Sequence, residues 1–184
     1  MIVAIAGPNG AGKTTFYNAH LRSAGLRFVN AGVLARDLRL EPYAAARLAD
    51  GIRAELVRQR ESFVFETFFS DPAGEKLAFL KAAAESGYNT ILCFIGTASP
   101  EVSEQRVAMR VSQGGHDVPP DKLKERFPRI LANLKSAFHD LPHVRVYDNN
   151  DLRTPYRLVA VAGTGKIFSL HRALPKWLAP LLPV

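Results

Sequence analysis

Residues 7–14, Gly-Pro-Asn-Gly-Ala-Gly-Lys-Thr, decide the fold, because two glycines separated by four residues are followed directly by lysine and threonine. The glycines let the backbone curl until its N–H groups point inward at phosphate oxygens, and a following helix adds its N-terminal dipole. Lys13 would then reach the β- and γ-phosphates of a nucleotide, and the Thr14 hydroxyl would bind Mg²⁺. The phosphate-binding residues predicted in this way are Gly7, Pro8, Asn9, Gly10, Ala11, Gly12, Lys13, Thr14 and Thr15.

The sequence on either side of this loop fits the same interpretation. Residues 1–6, MIVAIA, form a short apolar run that predicts a buried strand, and residues 13–24 predict a helix that ends at Gly25. A second glycine–lysine stretch, residues 163–166, has isoleucine after its lysine and lies between two strand patterns. We therefore interpret residues 163–166 as a hairpin turn and not as a second phosphate site.

Short apolar runs alternate with helical patterns along the rest of the chain. Strands are predicted at 26–30, 62–67, 89–95, 143–147, 157–162 and 166–170, and helices at 33–39, 43–60, 74–86, 100–113 and 121–139. This alternation predicts the α/β class, with a parallel sheet flanked by helices, and the phosphate-binding loop after the first strand makes the P-loop NTPase fold the expected one. We expect one domain over residues 1–184, with the apolar, proline-broken tail at about 171–184 packed on its body.

Composition limits the class of protein and its partners. The chain of 184 residues has a net charge of +7, which favours an anionic partner such as a nucleotide or a sugar phosphate. The single cysteine, Cys93, excludes an internal disulfide framework and a CxxC metal site, and its apolar neighbours predict an inert core position. No apolar run reaches the length of a membrane span, and the N-terminus lacks a basic leader. We therefore expect a soluble cytoplasmic protein.

Polar side chains follow several strands at the sheet edge where ligands bind in such folds. Glu66 ends the third strand, where it would bind Mg²⁺ or contact a substrate. Asn30 ends the second strand beside the same cleft. Asp37 lies in the helix that follows, and we expect it to be solvated at the surface. Asp148, after the strand at 143–147, is interpreted as the start of a turn.

Four arginines lie on two consecutive predicted helices. Arg106 and Arg110 are four residues apart and so share one helix face, and Arg126 and Arg129 are three apart on the next helix. Phosphoryl transfer needs positive charge on the transferred group, and mobile arginines supply it. We expect at least one of the four to meet phosphate, although any single one is as well explained by surface solvation.

The segment between the two helices predicts a lid. Residues 114–120, Gly-Gly-His-Asp-Val-Pro-Pro, combine two flexible glycines with two stiff prolines, which favours a helix–loop–helix lid over about residues 106–129. His116 is expected to be a surface residue at the lid tip. The aromatic residues near Glu66 are expected to be core or cleft wall rather than a stacking platform for bases; they are Phe63, Phe65, Phe68 and Phe69.

Six stretches together form a more specific pattern than the phosphate-binding loop does. They are GPNGAGKTTF at 7–16, FVNAG at 28–32, FETFFS at 65–70, SEQRVAMRVSQGGHDVP at 103–119, the Arg126–Asn133 helix and VYDNN at 146–150. In these stretches the sequence resembles the zeta toxin family of P-loop kinases, over about residues 1–162. The resemblance implies an ATP- and Mg²⁺-dependent kinase that phosphorylates the 3′-hydroxyl of the amino sugar of UDP-N-acetylglucosamine and is restrained by an antitoxin.

The resemblance also assigns residues. It implies that Lys13 and Thr14 meet phosphate and metal, that Glu66 is the substrate-cleft glutamate, and that Arg106 stabilises the transferring phosphate. A second arginine of the family corresponds to Arg110 or Arg126. Two positions depart from the family: Gly32 stands where an aspartate, the base for the substrate hydroxyl, is usual, and Phe68 stands where a threonine is frequent.

The departure at Gly32 leaves three interpretations open. Glu66 or Asp37 takes over as base, the substrate differs, or the protein binds ATP without effective kinase activity. A loose phosphoryl-transfer transition state depends on positioning more than on a strong base, so loss of the aspartate need not abolish activity. A polynucleotide 5′-hydroxyl kinase is a further alternative, which the pI near 9.8 favours. The lack of a base-stacking motif or a basic tail argues against it and against nucleic acid as a partner.

Overall fold

A seven-stranded sheet forms the centre of the computed structural model, which describes residues 1–112 and 118–183. The strands are β1 (Ile2–Ala6), β2 (Arg27–Val29), β3 (Phe63–Thr67), β4 (Thr90–Gly96), β5 (Val144–Asp148), β6 (Arg157–Gly163) and β7 (Lys166–Leu170). Their order across the sheet is β2-β3-β1-β4-β5-β6-β7. The first five strands in this order are parallel, and β6 and β7 are antiparallel to their neighbours. The predicted α/β class is confirmed, and all the predicted strands are present.

Helices connect the parallel strands. They are α1 (Lys13–Phe16), α2 (Ala31–Leu38), α3 (Pro42–Arg58), α4 (Glu75–Glu85), α5 (Pro100–Ser112) and α6 (Pro120–Asp140). The predicted bounds of 13–24 and the end at Gly25 are confirmed, but the helix type changes, because α1 is followed by a π-helical turn at Tyr17–Leu21 and a 3₁₀ turn at Arg22–Ala24. The change occurs where adjacent aromatic side chains are anchored in different directions: Phe16 contacts Tyr147, whereas Tyr17 stacks on Phe28.

The sheet has a buried cluster on each face, because strand side chains alternate between faces. In β1, Ile2 belongs to the larger cluster, to which α3, α4 and α6 contribute, and Ile5 belongs to the smaller cluster with Phe16 of α1. Both isoleucines are 0% exposed, and burying each contributes roughly 1.5–3 kcal/mol. Cys93 lies in the smaller cluster, where burial raises the pKa of its thiol to about 12, so it is core as predicted.

The last two strands form a hairpin whose turn is the second glycine–lysine stretch, as predicted. The tail after β7 then packs back on the sheet, with Leu178 fully buried and the Trp177 ring 6.1 Å from that of Phe94. Trp177 Nε1 donates to Asp148 Oδ1 at 3.1 Å, so Asp148 is a buried anchor for the tail and not only the start of a turn.

The segment predicted as a lid is described only in part. Helices α5 and α6 flank it as expected, and α6 begins at Pro120, one residue earlier than predicted. The glycines, His116 and the rest of 113–117 lie outside the described residues. In the part of the chain that the structure does describe, no helix is both long and apolar enough to cross a membrane.

Candidate active site

The glycine-rich loop begins where β1 ends, and its path depends on the absence of a side chain at its first residue. Gly7 has a φ of +140°, and a Cβ there would lie 2.1 Å from the carbonyl oxygen of Ile95 in β4. An L-residue is therefore excluded both by its backbone conformation and by the close approach of the neighbouring strand. The sheet thus fixes the start of the loop at the carboxyl ends of β1 and β4.

Lys13 is buried within the loop that precedes it. Its side chain is 4% exposed, and Nζ donates to the carbonyl oxygens of Gly7 and Pro8, each at 2.9 Å. Burial lowers the pKa of Lys13 to about 8; the negative charge of Glu66 opposes this shift, and the positive charge of Arg110 adds to it. The ammonium is therefore held by neutral carbonyls that a bound phosphate can replace.

Glu66, at the end of β3, joins three elements. Its Oε2 accepts from Thr14 Oγ1 at 2.7 Å and from Asn30 Nδ2 at 2.8 Å, and its Oε1 lies 3.9 Å from Lys13 Nζ. Asn30 is also the N-cap of α2, because its Oδ1 accepts from the backbone N–H groups of Gly32 and Val33. The parallel neighbours β1 and β3, with β2 beyond them, thus bring these predicted residues to one point.

The structure distinguishes between Glu66 and Asp37, the two carboxylates that could act as the base. Gly32 lies in the first turn of α2, and the nearest heavy atom to a Cβ built there is Asn30 Oδ1, at 3.2 Å. Asp37 is exposed and pairs with its neighbour Arg36, as the surface interpretation predicted. Among the described residues, Glu66 is consequently the carboxylate that contacts Lys13 and Thr14.

The predicted arginines occupy different places. Arg126 of α6 lies with its guanidinium 5.7 Å from the centre of the Phe68 ring, whose other neighbour is Lys13. Arg110 is near enough to influence the pKa of Lys13. Arg106 instead donates from Nη2 to the carbonyl of Asn150 at 3.1 Å, and burial lowers its pKa.

Arg106 also supports the loop sterically. A Cβ at Gly10 would lie 3.0 Å from Arg106 Cβ, so α5 packs directly against the phosphate-binding loop. Arg129, the fourth predicted arginine, pairs with Glu125 one turn earlier on α6. The structure therefore places Arg126 beside the Phe68 ring that Lys13 also contacts, Arg106 against the loop, and Arg129 in an ion pair along its own helix, while the charge of Arg110 acts on Lys13.

Two residues outside the motif hold the phosphate-binding loop, and the sequence did not indicate them. Asn149 is buried, and its Nδ2 donates to the carbonyl of Ala11 at 2.8 Å. Tyr156 donates from its hydroxyl to the carbonyl of Gly12 at 2.9 Å, and its backbone N–H donates to Asn149 Oδ1. These bonds turn two loop carbonyls toward the β5–β6 connection. The asparagine pair that follows Asp148 is the available signal, but asparagines after a strand equally predict a turn.

Replacing Asn149 by alanine is expected to loosen this support. The Ala11 carbonyl and the Tyr156 N–H lose their buried partner, which costs about 1–3 kcal/mol in free energy of unfolding. We also expect about tenfold weaker nucleotide binding, because about 1.4 kcal/mol of the binding free energy is then needed to order the loop. Denaturant unfolding and nucleotide titration measure the two effects. The matched control is Asn18→Ala at an exposed site; equal behaviour of the two variants would contradict the assignment.

The family follows from a match over most of the chain. Residues 41–157 match the zeta toxin family model. The chain belongs to the zeta toxin family. The matched segment runs from the start of α3 to the start of β6, so it includes Glu66 and the arginines and begins after Gly32. An uncharacterised protein of Haemophilus influenzae is 27% identical over 126 residues, which cover 66% of this zeta toxin family chain and 88% of that protein.

Solved structures share the fold. A chain of the AvrRxo1-ORF1:AvrRxo1-ORF2 complex with sulphate ions has a TM-score of 0.61 at 18% identity, covering 94% of this chain and 61% of its own length. A chain from the PezAT chromosomal toxin–antitoxin system of Streptococcus pneumoniae has a TM-score of 0.65 at 14% identity, covering 88% and 71%. The fold is that of P-loop kinases, and this chain spans about three fifths of the AvrRxo1 chain it matches.

The residues present fit a nucleotide with Mg²⁺. Where the structure describes side chains, no group of three His, Cys, Asp or Glu residues could hold a metal ion by itself. Mg²⁺ in a nucleotide site is usually bound through one or two protein groups, substrate phosphates and water. Thr14 Oγ1 is the candidate protein ligand, and its hydrogen bond of 2.7 Å to Glu66 fixes its position.

Proposed function

We propose that this protein transfers the γ-phosphoryl group of ATP to a hydroxyl of a small anionic acceptor, a nucleotide sugar such as UDP-N-acetylglucosamine. The observation that carries the proposal is the convergence of Lys13 and Thr14 of α1 on Glu66 of β3, whose carboxylate oxygens lie 3.9 Å from Lys13 Nζ and 2.7 Å from Thr14 Oγ1. A related structure, AvrRxo1-ORF1 with its ORF2 partner, was solved with ATP. The family and the P-loop kinase fold support the reaction class, and the acceptor is inferred.

Each residue takes a defined role in this proposal. Lys13 leaves the carbonyls of Gly7 and Pro8 and binds the β- and γ-phosphates, where its charge stabilises the transferring group. Thr14 holds Mg²⁺, which would neutralise charge on the phosphates when bound. Glu66 orients the acceptor hydroxyl and takes its proton on Oε1, because Oε2 already accepts two hydrogen bonds. The backbone of residues 7–15 forms the phosphate cradle.

The arginines supply the remaining positive charge. Arg110 and Arg126 are proposed to contact the transferring phosphate, because both lie near Lys13 or the ring beside it. Arg106 is proposed to do so only after its guanidinium leaves the Asn150 carbonyl. Helices α5 and α6 are proposed as the arms of a lid over about 106–129 on a single domain that spans 1–184.

The cellular setting is part of the same proposal. We place the protein in the cytoplasm, where ATP and nucleotide sugars are available, with an antitoxin as a partner that restrains it. Support for the antitoxin comes from the PezAT toxin–antitoxin system of Streptococcus pneumoniae, a chain of which shares the fold of this protein. The net charge of +7 suits an acidic partner as well as an anionic substrate.

The direct test is phosphate transfer from labelled ATP with Mg²⁺. The full chain is incubated with UDP-N-acetylglucosamine and with a panel of other sugars, nucleotides and oligonucleotides, and labelled products are separated. A phosphorylated nucleotide sugar supports the proposal. Label on the 5′ end of an oligonucleotide would favour the polynucleotide kinase instead, and absence of any labelled product would contradict kinase activity.

A second candidate, an ATP-binding protein without effective catalysis, is favoured by Gly32. The Gly32→Asp variant distinguishes the two, because Gly32 is exposed in the first turn of α2 and a Cβ there approaches Asn30 Oδ1 at 3.2 Å. Product from Gly32→Asp but none from the wild type would favour a scaffold that has lost its base. Equal product from both would favour Glu66 as the base that this chain uses.

Nucleotide affinity is expected to fall as pH rises above about 8, because Lys13 then loses its proton in the free protein. Phosphate raises the pKa of the bound lysine, so binding above pH 8 takes up a proton and weakens by up to about tenfold per pH unit. Calorimetry of an ATP analogue from pH 7 to 9.5, in buffers of different ionisation enthalpy, measures both the affinity and the proton uptake.

The control for this pH profile is Lys13→Met, whose weaker binding should lack the lysine-dependent fall. The same group also affects stability. Its pKa is lower in the folded chain than the ordinary 10.5, so the unfolded state binds more protons between about pH 8 and 10.5. The buried, charged lysine therefore lowers the free energy of unfolding below pH 8. This destabilisation disappears as pH rises from about 8 to 10.5, so the folded protein becomes more stable over that range. An unchanged wild-type affinity across pH 8 would contradict the role of Lys13.

A further inference from the structure

Phe68 is the exposed member of a row of otherwise buried phenylalanines. Phe63, Phe65 and Phe69 are at most 1% exposed, whereas Phe68 is 43% exposed. Its ring lies 4.7 Å from Lys13 Nζ and 5.7 Å from the guanidinium carbon of Arg126. The ring therefore forms part of the cleft wall between the phosphate-binding loop and α6.

A strained backbone holds this side chain outward. Phe69 has a φ of +60°, a left-handed conformation that a bulky non-glycine residue rarely adopts. Thr67 Oγ1 accepts from the Phe69 N–H at 3.0 Å, and Asn133 of α6 donates Nδ2 to the carbonyls of Phe69 and Asp71, each at 3.0 Å. Such strain persists only where the surroundings enforce it, and it concentrates at functional sites. Here it turns Phe69 into the core and Phe68 into the cleft.

The distance to Lys13 limits which part of an acceptor the ring can meet. If Lys13 binds the γ-phosphate as proposed above, the acceptor atoms nearest Phe68 are those around the reacting hydroxyl. A cyclic sugar presents a face of C–H groups that packs flat on an aromatic ring, whereas a phosphate or a short acyclic alcohol offers no such face. The neighbouring Arg126 suits the negative charge that the rest of the acceptor carries.

We propose that Phe68 is an acceptor-specificity residue, which packs against the sugar ring that bears the reacting hydroxyl. The inference rests on the proposed function for the position of the acceptor. The sugar half of a nucleotide sugar, rather than its base, should then account for the contribution of Phe68 to binding.

The test compares two ligands that differ only by the sugar. Calorimetry measures the affinity of the full chain for UDP-N-acetylglucosamine and for UDP, each in the presence of a non-hydrolysable ATP analogue and Mg²⁺. Phe68→Ala is expected to weaken the binding of UDP-N-acetylglucosamine by about tenfold or more and the binding of UDP by less than about twofold. Phe68→Tyr keeps the ring and should retain the wild-type preference. In transfer assays, Phe68→Ala should raise KM for the nucleotide sugar far more than it lowers kcat.

Phe168→Ala is the matched control, since Phe168 is an exposed phenylalanine on β7 outside the site. It should bind both ligands as the wild type does. Equal losses of affinity for the two ligands in Phe68→Ala would overturn the inference. Unchanged or tighter binding of the nucleotide sugar by Phe68→Ala would also overturn it, as would a wild-type protein that binds UDP as tightly as the nucleotide sugar. A failure of the kinase proposal is distinguishable from these outcomes. In that case the wild-type protein would transfer no phosphate, regardless of how the two ligands bind.

Discussion

Lys13→Ala is expected to reduce phosphate transfer from ATP by about 1,000-fold or more. The transferring group carries negative charge over several oxygens, and a positioned cation in a water-poor site stabilises that charge strongly. Lys13 is suited to this, because it is buried beside Glu66 and already bound to two loop carbonyls. The measurement is the rate of labelled product formation at saturating ATP and acceptor, together with the affinity for an ATP analogue.

The chain supplies its own control for this variant. Lys166 follows glycine in a similar stretch, yet it is exposed at the start of β7 in a hairpin. Lys166→Ala removes the same charge and should transfer phosphate at the wild-type rate. A Lys13→Ala protein that is folded and retains wild-type transfer would refute the assignment of the phosphate site. Equal losses in the two lysine variants would indicate an effect of net charge instead.

The sequence predicted the elements whose signals are local. The phosphate-binding loop is specified by residue types at fixed spacing, and short apolar runs bounded by turn residues specify the strands. Glu66 and Asn30 could be placed in one cleft because both end strands of a parallel sheet. Their direct hydrogen bond at 2.8 Å follows from β2 pairing with β3, which the sequence alone did not give.

The remaining features depend on contacts between distant parts of the chain. Asn149 and Ala11 are 138 positions apart, and no pattern near either residue specifies their bond. The outward position of Phe68 depends on a left-handed residue after it and on Asn133 of α6, so its identity alone did not distinguish core from cleft. The four arginines were equivalent by spacing, and only the packing of α5 and α6 separates Arg126 near Phe68 from Arg129 beside Glu125.

Glu66→Gln is expected to lower kcat for the acceptor by about 100- to 10,000-fold, the usual contribution of a positioned acid or base. Glutamine has nearly the same size and keeps an oxygen to accept from Thr14 or Asn30, but it cannot take the hydroxyl proton. The change also removes the charge that raises the pKa of Lys13, so that pKa should fall further and nucleotide affinity at pH 8 should decline. Steady-state kinetics with the acceptor varied, and calorimetry of the ATP analogue, separate these two effects.

Asp37→Asn is the matched control, because Asp37 is the other carboxylate that the sequence left open as a base. It is exposed and paired with Arg36, so its loss should change kcat by less than about twofold. A larger loss in Asp37→Asn than in Glu66→Gln would transfer the role of base to α2. Small losses in both would mean that positioning by Lys13 and the arginines suffices, as a loose transition state permits. A large loss confined to Glu66→Gln would fit a chain in which the glutamate at the end of β3 takes the proton that the resemblance assigns to an aspartate in place of Gly32.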